Sequence, residues 1–170
     1  MLSLKSVTSM PDRQACLDVY RQSLDYYQAA NLPFPDRSTV QSDRTTAPDG
    51  ILPSRMRYQL IMLDNKPVGV VKVVRDYPVP HAVTLALLLI KQRYRRQGIG
   101  SAIVRQLASH YSENGYAELQ ATVLAPTEER LAFWRSQGFD ILDARRLMLA
   151  SGDIQSQALL GRSLSDLVTV

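Results

Sequence analysis

Apolar residues along this chain recur with two periods, and the switches between them set out an order of elements. Leu2, Leu4 and Val7 alternate with polar residues and predict a short first strand. Ser9-Met10-Pro11-Asp12 carries a capping serine with an acidic residue three positions on, a helix start. Cys16, Leu17, Tyr20, Leu24 and Tyr27 then fall at three- and four-residue spacing and predict one helix over 12–30. Residues 57–63 and 68–74 are strand-like runs on either side of Asp64-Asn65-Lys66, which predicts a hairpin. Residues 83–90 end in an unbroken Leu-Ala-Leu-Leu-Leu-Ile, the pattern of a central strand covered on both faces. A helix is expected over 98–114, with Ile99, Ile103, Leu107 and Tyr111 on one face and Gly115 as its stop. A strand over 118–124 follows, then a helix that Thr127 caps and Gly138 ends.

Between these elements the pattern is thinner. Residues 31–54 carry Pro33, Pro35, Pro48, Gly50 and Pro53 among polar residues, which predicts a long loop, either a substrate-side lid or a mobile connection. Residues 139–142 and 147–150 read as short strands, and 155–160 as either a tail helix or another strand. The expected organisation is a single domain over 1–150 and a tail over 151–170, packed on the same domain or on a partner subunit. A homodimer is expected if Leu159, Leu160, Leu167 and Val168 serve such a partner.

Composition narrows the classes. A chain of 170 residues with 45% hydrophobic content can bury one substantial core. Cys16 is the single cysteine, so an intramolecular disulfide and a cysteine-based zinc cage are excluded and a reducing, cytoplasmic setting is expected. Cys16 lies among apolar residues and reads as a buried thiol. The first residues lack a signal-peptide pattern, and the longest apolar run, 85–90, is too short for a membrane span. The formal charge of +4 favours anionic partners. Nucleic acid is not expected as one, because the arginines form no stripe with interleaved aromatics and no known nucleic-acid motif occurs; a small basic nucleic-acid-binding domain is the distant alternative.

Chemistry concentrates in one segment. An apolar strand ends at Ile90, a basic turn of Lys91, Gln92, Arg93, Tyr94, Arg95 and Arg96 follows, and Gly98-Ile99-Gly100 opens a helix. Backbone amides in the first turn of a helix lack internal partners and point along the positive end of its dipole, so a phosphate fits there. A Walker A loop would need a Gly-Lys-Ser/Thr ending, and a dinucleotide fingerprint would need a small residue where Ile103 stands.

Arg95-Arg96-Gln97-Gly98-Ile99-Gly100 resembles the cofactor motif of the GNAT superfamily of acyl-CoA N-acyltransferases, Arg/Gln-x-x-Gly-x-Gly/Ala, and Tyr94 and Ser101 fit its flanks. Further on, Ala132-Phe133-Trp134-Arg135-Ser136-Gln137-Gly138-Phe139 looks like the closing helix and Gly-Phe pair of that superfamily. The resemblance covers about residues 68–141. It implies a three-layer α/β fold: a mixed, mostly antiparallel sheet of six or seven strands with a splayed central pair, flanked by about four helices. It implies acetyl-CoA as co-substrate and no metal, with Leu88, Leu89 and Ile90 along the pantetheine arm. Arg95, Arg96, Gln97, Gly98, Ile99, Gly100 and Ser101 would then surround the pyrophosphate, with Thr127 and Trp134 also near the cofactor.

The activity implied is transfer of an acetyl group to a primary amine on a small molecule or peptide, by direct attack in a ternary complex. A base for the amine and an acid for the leaving sulfur would each be worth about 10² to 10⁴ in rate. Where the superfamily often has a tyrosine as the acid, this chain has Trp134, and where it often has an asparagine, this chain has Thr127, better suited to a helix cap. His81 is the candidate base, with Asp76 and Tyr77 beside it; His110 lies too far along its helix. Tyr26, Tyr27 and Asp43 would shape an acceptor pocket if the first helix and the long loop fold over the cleft. The tryptophan leaves a second reading, a catalytically weak module that binds acyl-CoA as a sensor or assembly domain.

Overall fold

The computed structural model describes residues 1–165. Its elements, in chain order, are β1 (Leu2–Ser6), α1 (Met10–Arg21), α2 (Leu24–Ala29), α3 (Arg37–Thr45), β2 (Met56–Leu63), β3 (Lys66–Arg75), β4 (Ala82–Ile90), α4 (Ile99–Glu113), β5 (Glu118–Leu124), α5 (Glu128–Ser136), β6 (Asp140–Met148) and β7 (Ile154–Ser163). The strands form one sheet in the order β1-β2-β3-β4-β5-β7-β6, antiparallel except where β4 meets β5. This is the expected mixed, mostly antiparallel sheet, with five α-helices among the described residues where about four were expected.

Two local features each add a helix to those read from the apolar pattern. The predicted helix over 12–30 breaks at Gln22 and Ser23, whose backbones leave helical geometry; the freed carbonyl of Gln22 accepts from the Gln92 amide at 3.3 Å. That bond ties the helix break to the basic turn and sends α2 off in a new direction. The predicted loop over 31–54 contains α3. Asp36 caps it, accepting from the amides of Ser38 and Thr39, and Thr39 returns a bond to the Asp36 amide. Only Val40 of α3 is buried, so the helix carries almost no apolar period to read.

The hairpin is as expected, with Asp64 and Asn65 both at positive φ, as a two-residue hairpin turn requires. Asp140–Met148 form one nine-residue edge strand, β6, where two short ones over 139–142 and 147–150 were expected; its polar centre, Asp143 to Arg146, is exposed. The tail forms β7, which inserts between β5 and β6 and buries Leu160, so that side chain faces the core; Leu167 and Val168 lie outside the described residues.

Each face of the sheet carries a core. On one, α4 packs Ile103, Val104 and Leu107 over Val71, Val83 and Leu119. On the other, α1 sets Cys16, Leu17 and Tyr20 over Tyr58, Leu60 and Val70. Cys16 is fully buried, and burial lifts its thiol to about 11, an inert packing role. No helix among the described residues is long and apolar enough to cross a membrane.

Candidate active-site cleft

The cleft follows from where β4 and β5 part. They pair only from Ala82 with Glu118 to Leu85 with Ala121. At the next residue β4 carries a bulge: Lys72 and Val73 of β3 are consecutive, yet they face Leu87 and Leu85, so Ala86 is left over. Beyond it the strands diverge, and the apolar run that reads as a doubly covered strand in fact lines an opening. Ala86 is exposed and Leu87, Leu88 and Ile90 are only half-buried. The cleft has a volume of about 900 Å³. Leu85 to Ile90 form one wall and Thr122 to Leu124 the other, with the first turn of α4 at one end and Thr127, Phe133 and Trp134 of the α5 region alongside.

The basic turn is tethered before any ligand arrives. Lys91, almost fully buried, places its ammonium 2.8 Å from the Asp18 carboxylate, which holds that carboxyl below the usual range. Arg95 forks onto both oxygens of Asp25 at 2.6 and 3.1 Å and donates to the Ile90 carbonyl at 2.8 Å. With the Gln22 carbonyl between them, positions 18, 22 and 25 of the α1–α2 segment grip the turn. Arg96 meets Glu129 of α5 at 2.6 Å, fully out in solvent.

What the turn then offers an anion is backbone. Arg96 and Gly98 both have positive φ, at 62° and 80°. The first helical bond of α4 runs from the Ala102 amide to the Gly98 carbonyl at 3.0 Å, so the amides of Ile99, Gly100 and Ser101 precede the ladder. A Cβ on Gly98 would meet nothing within 4 Å, whereas one on Gly100 would lie 3.3 Å from the Phe133 ring. Gly98 is therefore required by its backbone conformation, while a Cβ at Gly100 would press on the Phe133 ring where α5 packs on α4.

Of the residues expected at the cofactor, Leu88, Leu89, Ile90, Arg95, Arg96, Gly98, Ile99, Gly100, Ser101, Thr127 and Trp134 all line this one cleft. Gln97 does not; its side-chain Nε2 donates to the Arg93 carbonyl at 3.2 Å. Thr127 caps α5, accepting from the Arg130 amide. Trp134 is wedged edge-on between the rings of Phe133 and Phe139, at 5.2 and 5.0 Å.

The structure does not bring His81 to the cleft. It occupies the turn before β4 in left-handed geometry, exposed, with its amide on Asp76 at 3.0 Å. Five strand steps, roughly 16 Å at ~3.3 Å each, separate it from Ala86. Asp76 and Tyr77 share that far end, and His110 stays on the surface of α4. No group of His, Cys, Asp and Glu side chains among the described residues is placed to hold a metal ion.

Sequence reasoning missed Asp25, Glu129 and Arg130 at the cleft, and left Tyr26 as a conjecture. The signal for Asp25 was present: Asp18 and Asp25 are seven apart, one face of a helix that a basic turn can dock against. Tyr26 reaches the cleft because α2 crosses it. At one end the Arg95–Asp25 pair holds α2 to the β4 side, and at the other Ala30 and Asn31 bond Gln155 and Ile154 of β7.

Similar architecture is widespread among solved acetyltransferases. An acetyltransferase from Thermus thermophilus is 23% identical, with 96% of this chain and 97% of that one covered and a TM-score of 0.73. The ribosomal-protein-S18-alanine N-acetyltransferase of Escherichia coli is 20% identical over 97% and 95%, with a TM-score of 0.68. The PaiA N-acetyltransferase of Thermoplasma acidophilum, solved with coenzyme A, is 12% identical over 96% and 99%, with a TM-score of 0.65. No curated protein sequence matches. The model of the acetyltransferase (GNAT) family matches residues 19–139, most of the chain and all of the cleft, and the chain belongs to that family.

Proposed function

We propose that the protein transfers an acetyl group from acetyl-CoA to a primary amine, by direct attack within a ternary complex. The observation that carries this reading is the continuous cleft that begins at the Ala86 bulge and ends on the unpartnered amides of α4. A thioester with a long arm and a pyrophosphate needs that sequence of surfaces. The side of β4 that β5 leaves without a partner beyond Leu85 supplies hydrogen-bonding groups for an amide-containing arm, and Ile99, Gly100 and Ser101 supply amides for phosphate oxygens.

Bound acetyl-CoA supplies an acyl carbon open to attack and a sulfur leaving group. The chain's contribution at that point is electrostatic. Backbone amides freed at the bulge are held in place before reaction and can stabilise negative charge on the acyl oxygen. Trp134 has an indole N–H, which does not deliver a proton to sulfur, so protonation of the thiolate falls to water or to another residue.

Calorimetric titration with acetyl-CoA and with CoA tests the reading, followed by an amine panel scored for acetylated product. Saturable binding with turnover is expected. Binding without turnover on any amine would favour the module that only holds acyl-CoA, which the ring-packed Trp134 would suit. No binding by the folded protein would refute both.

A further inference from the structure

One of the two edge strands of the sheet, β6, is exposed along its whole length, from Asp140 to Met148. Apolar side chains gather there. Of the ten large apolar side chains exposed among the described residues, five belong to the β6–β7 hairpin: Ile141, Leu142, Leu147, Met148 and Ile154. An edge that offers apolar side chains together with free backbone is a template for another strand.

The register of the hairpin fixes which backbone groups are free. At its turn the Leu149 amide bonds the Asp153 carbonyl at 2.8 Å, and from there Met148 to Asp143 pair with Ile154 to Leu159 without a slip. Residues of an antiparallel pair alternate between bonding across the ladder and turning away from it. Asp143, Arg145 and Leu147 therefore spend their amides and carbonyls on β7, and Ala144, Arg146 and Met148 turn theirs outward. β7 shows the same phase: the carbonyl of Ser156, opposite Arg146, accepts from the Ala125 amide on the β5 side at 2.8 Å.

We infer that β6 pairs with β6 of a second copy of this chain, antiparallel, about a twofold axis at Ala144. Such an axis, perpendicular to the sheet, keeps every side chain on its own face and so must set one residue opposite itself. With Ala144 at the centre, the two Ala144 residues exchange amide and carbonyl bonds, and only two methyl groups meet at the axis. Asp143 of each copy then stands opposite Arg145 of the other. Within one chain these two already form an ion pair at 2.9 Å, so pairing closes a ring of four alternating charges.

Other registers lack this match. Centring on Asp143, Arg145 or Arg146 sets like charges opposite each other. Centring on Leu147 leaves Asp143 facing a position beyond the end of the second strand, and centring on Leu142 falls on the slip between Ile141 and Asp143. That slip limits the regular ladder to about 142–146 in each copy, and past it Ile141 and Leu142 of one chain arrive beside Leu147 and Met148 of the other. Charges that guard an edge against pairing need no particular order; here both signs are ordered to meet an antiparallel copy. The junction lies two strands away from the opening between β4 and β5, so the cleft of each copy stays accessible.

The test is the mass of the full chain in solution, by sedimentation over about 1 to about 200 μM. A mass of two chains at the upper end is expected. Ala144→Pro removes an outward N–H and no bond to β7, so it should melt like the parent and sediment as one chain. Asp143→Arg opposes like charges and should raise the dissociation constant roughly 10-fold or more, and Asp143→Arg combined with Arg145→Asp should bring it back. A single chain at every concentration, a mass above two chains, a folded proline variant that pairs like the parent, undiminished pairing by Asp143→Arg, or a double variant no better than the single one would each overturn the inference.

Discussion

Gly98 separates the energetics of the turn from those of the ligand, because its two requirements are different in kind. Its φ of 80° penalises any L-residue, yet a Cβ built there touches nothing within 4 Å. Gly98→Ala should therefore cost only the left-handed backbone strain, about 1–2 kcal/mol. For a domain of this size that lowers the melting temperature by roughly 2–8 °C. Gly98→Leu carries the same strain and also fills the open space. If that space belongs to the pyrophosphate, the larger side chain displaces a phosphate oxygen from at least one amide. A hydrogen bond to a charged group is worth about 1.5–3 kcal/mol, so CoA affinity should fall roughly 10- to 100-fold beyond the alanine variant. Thermal melts and calorimetric titration of both variants measure the two effects separately. Leucine and alanine variants with equal CoA affinity would refute the assignment of that space, whatever their stability.

Gly69→Ala should destabilise without altering the cleft's chemistry, because its Cβ would lie 2.5 Å from the Leu89 carbonyl oxygen, backbone that cannot swing aside; a loss of about 1–3 kcal/mol in urea unfolding is expected. Asp12 is held well below the usual carboxylate range, chiefly by Lys5 and then by the Ser9 and Thr8 amides. A depressed carboxyl stabilises above its unfolded pKa, about 3.9, and that contribution is lost as pH falls, so Asp12→Asn should flatten the acid decline in melting temperature below about pH 4. Asp25→Ala removes the anchor of Arg95 and should weaken CoA binding through a loosened turn, with Asp25→Glu restoring part of it. Trp134→Tyr places a hydroxyl along the cleft; a rise in kcat with unchanged CoA affinity would show that the thiolate lacks a protein acid in the parent, and an unchanged kcat would show that sulfur departure is not limiting.

Legibility in the sequence followed the physics of each element. The hairpin at Asp64-Asn65, the helix opening at Gly98 and the cap at Thr127 were readable because local backbone demands dictate those residue types. α3 was not, since it is held by a cap and one buried valine and so carries no period. The break at Ser23 was also hidden: Cys16, Leu17, Tyr20, Leu24 and Tyr27 keep helical spacing straight through it, and only the distant Gln92 amide explains it. His81 drew attention for its residue type alone, and the register of β4 sets it at the wrong end of the strand. The end of the cleft formed by the basic turn and the first turn of α4 is local in sequence, so the residues lining it stand together there. Asp25 and Tyr26 of α2 reach the cleft only through the fold, and residues brought together by long-range contacts leave no motif.

The basic turn divides its cations between two tasks. Four cations within six residues look like phosphate ligands, yet Lys91 and Arg95 are committed to Asp18 and Asp25, and Arg96 to Glu129. The first two pairs are partly or deeply buried and close α1 and α2 onto the cleft, so an arriving phosphate that drew either cation away would loosen the fold. The Arg96 pair is exposed at 80% and 77%, a class of ion pair that contributes little to stability. It is therefore the pair an anion can open without loosening the fold. Arg96 carries both a side chain that can be redirected and a positive φ of 62° in the turn before α4. The geometry thus assigns rigidity to Lys91 and Arg95 and leaves adaptability to Arg96.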